Sequence, residues 1–277
     1  MTLSIQTSTK PAVRLIGDAS HPDFRDAIAL LRDDAHLMAT ADLPPELVVI
    51  AQSRPGSINV SVVDDVRQSS PLAGIIALAG SWCEGELRTG KPWPGVERLY
   101  WYQFPAWWNR QLALRAAERC PDWARPGEGQ LRVADCGLRV VGRVERRIGK
   151  RRNAGVIGIS TRCGNMADAI GDVLRCAGYA TVWKSPGRSP SIRRAVAGIW
   201  DGGQLSDSEA TELSRFCSRH SMDAAPVIAL LDFPRRDRVD LAHELGAAAV
   251  LGKPWRTEDL VATLATVVEQ SRHARAA

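Results

Sequence analysis

Between Ala225 and Gln270 the apolar positions fall into two short runs and two amphipathic segments, the firmest pattern in the chain. Residues 226–231 (PVIALL) form an unbroken apolar run of the length a buried parallel strand needs. Residues 235–245 place Val239, Leu241, Ala242 and Leu245 on one helical face and stop at Gly246, as a helix C-terminus does. Residues 247–251 are a second apolar run, closed by Lys253-Pro254. Thr257 then caps a last helix, with Glu258 and Asp259 in its first turn against the helix dipole. Strand, helix, strand, helix is the closing half of a doubly wound α/β sheet.

The same alternation recurs upstream. Residues 156–159, 179–183 and 196–200 read as strands, with Asp201 at the end of the third. Helices are predicted over 165–176, 189–194 and 206–219. In the first half, residues 13–16, 46–51 (ELVVIA) and 74–78 are strands, and helices lie over 23–31 and up to 64–68. This order implies parallel sheets with right-handed crossovers. Residues 80–123 break the rhythm and hold six of the nine Trp. Gly and Pro make 80–95 a loop, with a fifth strand at 99–104 and a helix at 106–119 after it. The expected layout is a disordered lead over 1–10, a first domain over 11–120 with a Trp-rich insertion, a linker over 121–152, a second domain over 153–271 and a tail over 272–277. Within the linker, 131–141 is a candidate strand pair around Gly137, and Arg143 to Arg152 is a basic connector.

Composition narrows this further. At 277 residues, 45% hydrophobic and 24% charged, the chain has room for two ordinary cores. A net charge of +5 is too mild to argue for an anionic partner. The six Cys form no C-x-x-C pair and no zinc-like cluster with His. No segment has the apolar length of a signal peptide or a membrane span, so the expected setting is the cytoplasm, with reduced thiols. The five His (21, 36, 220, 243 and 273) are expected on helix surfaces or tails.

The helix ending in Gly-Ala before a strand that closes on Lys-Pro resembles the C-terminal half of a bacterial response-regulator receiver domain. LRCAGYATVW resembles the receiver's first helix end and second strand, and PELVVIAQSRPG its third strand and Pro-Gly turn. The resemblance implies two flavodoxin-like (CheY-like) doubly wound parallel-sheet domains in tandem. It also implies five positions to inspect, because a working receiver transfers a phosphoryl group to an Asp with Mg²⁺ bridging the charge. In the second domain the acidic pair falls on Ser160 and Thr161, neutral hydroxyls that are poor Mg²⁺ ligands. The phosphoacceptor falls on Asp201, the hydroxyl position on Leu231 and the Lys on Lys253. In the first domain the acidic pair falls on Gly17 and Asp18, the phosphoacceptor on Ala51 and the hydroxyl on Ala79 or a neighbour; Lys91 is not safely assigned.

An Ala carries no nucleophile, and a carboxylate without Mg²⁺ meets unrelieved repulsion from a phosphate. Asp201 and Lys253 then read as an ion pair across strand ends. The expectation is a non-catalytic pair of pseudo-receivers without cofactor or metal, partnered by another protein or by a second copy. Trp82, Arg88, Trp93 and Trp255 are the candidate interface residues, with residues 235–270 as a partner face. No membrane partner is expected, and nucleic acid is left to the basic connector, which lacks interleaved aromatics. The rivals are a phosphorylatable regulator using Asp201 and a nucleotide-binding Rossmann-like enzyme. For the latter the chain offers only Gly158-x₅-Gly164 in place of G-x-G-x-x-G.

Overall fold

The computed structural model describes residues 10–38, 44–86, 93–124, 154–185, 195–221 and 224–276. The chain forms two compact units that part between residues 125 and 153. Residues 1–9 of the expected lead over 1–10, the strand pair over 131–141, the basic connector and the helix over 189–194 lie outside the described residues, as do Arg88 and Lys91. No described helix is long and apolar enough to cross a membrane.

The first unit runs β1 (Ala12–Gly17), α1 (Arg25–Asp34), β2 (His36–Leu37), β3 (Leu47–Gln52), α2 (Val60–Ser69), β4 (Gly74–Ala79), β5 (Glu97–Tyr100) and α3 (Phe104–Ala116). Its sheet is parallel, in the order β2-β1-β3-β4-β5. All six residues of β3 are buried, because a central strand is covered on both faces and so reads as continuous apolar sequence. Val63 and Val66 of α2 pack on Val48 and Ile50. The two-residue β2 has both side chains exposed and leaves no apolar period to read, which is why sequence analysis misses it.

The Trp-rich stretch is mostly core. Trp101, Trp107, Trp108 and Trp123 are buried. Trp108 stacks on Phe104 at 5.8 Å and on Trp123 at 5.7 Å. Trp123 sits in a short 3-10 turn, Asp122–Ala124, anchored where Asp122 pairs with Arg110 and Gln111. The first unit therefore reaches at least Ala124, and the expected linker start at 121 is corrected. Aromatic packing overrides a local sequence that reads as loop.

The second unit runs β6 (Val156–Ser160), α4 (Gly164–Cys176), β7 (Ala180–Lys184), β8 (Ala195–Asp201), α5 (Asp207–Ser221), β9 (Val227–Asp232), α6 (Arg236–Glu244), β10 (Ala249–Lys253) and α7 (Thr257–Ala276). The parallel order β7-β6-β8-β9-β10 repeats that of the first unit. Both units are thus flavodoxin-like doubly wound sheets, order 2-1-3-4-5 by position in each. Trp200, Leu213, Phe216, Ala229 and Leu231 fill one face under α5 and α6. Gly246, at φ +101°, takes the left-handed turn that stops α6 and lets β10 start.

Two expectations change here. The helix α7 continues through Ala276, so residues 272–276 of the expected tail are helical; Ser271 and Arg275 both donate to the Ala224 carbonyl. His220 is buried rather than on the surface, with its ring against Phe216 at 4.2 Å.

Candidate functional site

In an open α/β sheet the crevice lies at the strand C-termini where strand order reverses. In the second unit that point lies between β6 and β8. The apolar strands run to their C-terminal edge and end there on Ser160-Thr161, Asp201, Asp232 and Lys253. Hydrophobic burial fixes the strands, so the rim side chains inherit a fixed spacing.

The Asp201 carboxylate is held on both oxygens. Its Oδ1 accepts from Lys253 Nζ at 2.8 Å, and its Oδ2 accepts the Thr161 hydroxyl at 2.6 Å. Thr161 is fully buried, and its Oγ1 also accepts from Cys163 N at 3.1 Å. Trp183 donates its indole N–H to the Thr161 carbonyl at 3.0 Å. Lys253 Nζ reaches three oxygens: Asp201 Oδ1, Asp232 Oδ1 at 2.8 Å and the Gly202 carbonyl at 2.6 Å. Burial works against the Lys253 charge, but hydrogen bonds and charge from Asp201 and Asp232 outweigh it and raise its pKa above the ordinary value.

A cleft of about 180 Å³ opens beside this network, bordered by Thr161, Cys163, Asp201, Gly202, Glu209 and Asp232. Glu209 is tied down by backbone N–H donors, Gly203 at 2.7 Å and Ser206 at 2.8 Å. Burial alone would raise its pKa, yet those donors lower it. Glu212 pairs with Arg162. A Cβ on Gly202 would fall 2.0 Å from the buried Trp200 ring, so only glycine lets the chain turn over that indole.

The receiver resemblance implies Mg²⁺, and the donor set does not fit it. Mg²⁺ needs an octahedral array of hard oxygens, with one or two carboxylates left open to it and waters or phosphate oxygens filling the rest. The residues expected at the acid-pair positions, Ser160 and Thr161, are both buried and neutral, with the Thr161 hydroxyl already given to Asp201. The other Asp201 oxygen is taken by an ammonium ion. Leu231, the residue expected at the hydroxyl position, is fully buried in the apolar core.

In the first unit Gly17 lies opposite Ala51, and Ala51 opposite Leu78. Gly17, the first residue of the expected acidic pair, has no side chain, and Asp18, the second, accepts from Ser20 at 3.0 Å. Ala51 and Ala79 are fully buried. Another carboxylate works at this rim: Asp23, 7% exposed, accepts from Ser81 N at 2.7 Å and ties the β1–α1 connection to the end of β4.

Of the candidate interface residues, Trp82 and Trp93 belong to the first unit and Trp255 to the second, and Arg88 lies outside the described residues. Trp82 is 68% exposed, with the Arg54 guanidinium 5.7 Å from its ring centre. Trp93 packs on the Val48–Val63 cluster, and Trp255 is half-buried in the second unit. Sequence reasoning missed Asp232 and Asp23. Asp232 carried a usable signal, since it ends β9 directly across from Lys253 on β10.

No family model and no curated protein matches this sequence. Similar solved structures include a Francisella response-regulator receiver domain, at 13% identity over 42% of this chain and 98% of that chain, TM-score 0.35. A receiver domain of a Syntrophus aciditrophicus histidine kinase is 21% identical over 42% of this chain and 92% of that one, TM-score 0.36. A response regulator of Chloroflexus aurantiacus, described as putative, is 21% identical over 41% of this chain and 97% of that one, TM-score 0.36.

Proposed function

We propose that the chain is a non-catalytic signalling protein of the two-component, phosphorelay type: two pseudo-receiver domains acting by contact with another protein or a second copy of the chain, without phosphorylation-dependent switching. The observation that carries this reading is the closed network at the second rim. Asp201 has no free oxygen, and all three N–H bonds of Lys253 have acceptors within the chain. An incoming phosphate dianion would face the Asp201 and Asp232 carboxylates with no acidic pair to hold a bridging metal. Each missing charge-stabilising group is worth a factor of about 10²–10³ in rate. At the first rim the matching residue, Ala51, has no nucleophilic atom.

The test is incubation of the full chain with acetyl phosphate and Mg²⁺, followed by intact mass and peptide mapping. No added phosphoryl group is expected at Asp201. Stoichiometric label there would replace this reading with a phosphorylatable regulator, the alternative that the retained Asp201 and Lys253 favour. Light scattering over a concentration series decides whether the contact is with a second copy.

A further inference from the structure

We propose that the Lys253 ammonium is the resident cation of the second rim: a tethered counter-ion that takes the place of a soluble metal and makes the rim independent of divalent cations. The proposal rests on the pseudo-receiver reading in holding that no metal serves this rim. It adds what does serve it.

An ammonium group has three donors and no acceptor. At Lys253 each donor has an oxygen, Asp201 Oδ1 and Asp232 Oδ1 at 2.8 Å and the Gly202 carbonyl at 2.6 Å. The oxygens come from the ends of β8 and β9 and the cation from β10, so one charge joins three neighbouring strands. Asp232 and Lys253 are register partners, and the parallel sheet itself aims them at the same spot. Two carboxylates and a carbonyl are hard oxygen donors of the kind that hold small cations. The other acidic groups of the cleft are committed, Glu209 to Gly203 and Ser206 and Glu212 to Arg162. Removing the ammonium while keeping its stem leaves two carboxylates converging without a counter-charge, which a divalent cation would then relieve.

The experiment melts the full-length protein and its Lys253→Met variant, which keeps an apolar stem. Each is measured in about 10 mM CaCl₂ or MgCl₂, and in choline chloride of matched ionic strength. The wild type is expected to melt at the same temperature in all three. K253M is expected to melt about 4–10 °C lower and to regain at least half of that loss in CaCl₂ but not in choline. Adding Asp232→Asn should abolish the rescue. Should K253M be unfolded in low salt, recovery of its folded circular dichroism on adding CaCl₂ is the equivalent result. A K253M protein that no divalent salt restores beyond choline overturns the tethered-cation proposal and leaves the pseudo-receiver reading standing. Mg²⁺ stabilising the wild type beyond choline overturns the proposal as well. Only label on Asp201 overturns the functional reading.

Discussion

Thr161→Val is the sharpest probe of whether the second rim is a structural network. Valine keeps the shape of threonine and deletes one hydroxyl from a fully buried site. That hydroxyl donates to Asp201 at 2.6 Å and accepts from Cys163 N at 3.1 Å. A hydrogen bond to a charged group is worth about 1.5–3 kcal/mol, and the Cys163 bond adds about 0.5 kcal/mol because that backbone is near solvent. The added methyl recovers up to about 0.8 kcal/mol of apolar burial. The net cost is therefore about 1–3 kcal/mol. With a urea dependence of about 2 kcal/mol per molar, the midpoint of the second unit should fall by about 0.5–1.5 M. A double-mutant cycle with Asp201→Asn isolates the pair, and a coupling of about 1–2 kcal/mol is expected. Additive effects within about 0.3 kcal/mol would refute the claim that Thr161 holds Asp201.

Two further predictions test the first unit and the charges of the second rim. Trp123→Ala should cost the first unit about 3–5 kcal/mol in chemical denaturation, since it empties a buried ring site stacked on Trp108; a cost under about 0.5 kcal/mol would return residues 122–124 to the linker. The two shifted groups of the second rim act at opposite ends of the pH scale. The Glu209 pKa is lowered on folding, so its contribution is present above the ordinary Glu value of 4.5 and fades as pH falls through the depressed one. The Lys253 pKa is raised, so its contribution is full below 10.5 and fades as pH climbs through the higher folded value. Stability profiles should therefore flatten on the acid side in Glu209→Gln and on the alkaline side in K253M, and unchanged slopes would refute these linkages.

The periodicity of the chain was enough to find nine of the ten described strands, the parallel α/β class and the repetition of one architecture. Those properties follow from which residues must leave water, and unbroken apolar runs such as 47–51 and 227–231 state that locally. The residues Asp201 and Lys253 were also legible, because both close apolar runs. What pairs with them was not. That Lys253 meets Asp232 as well as Asp201, that Thr161 gives its hydroxyl to a carboxylate 40 residues away, and that Asp23 rather than Asp18 works at the first rim all depend on strand register and on loops brought together by the sheet. The Trp-rich stretch shows the same limit from the other side. Its composition fits an interface or a core equally well, and only the mutual packing of Trp107, Trp108 and Trp123 in three dimensions decided for the core. Local sequence carries the drive to bury, whereas the identity of each neighbour is a long-range property that exists only once the chain has closed on itself.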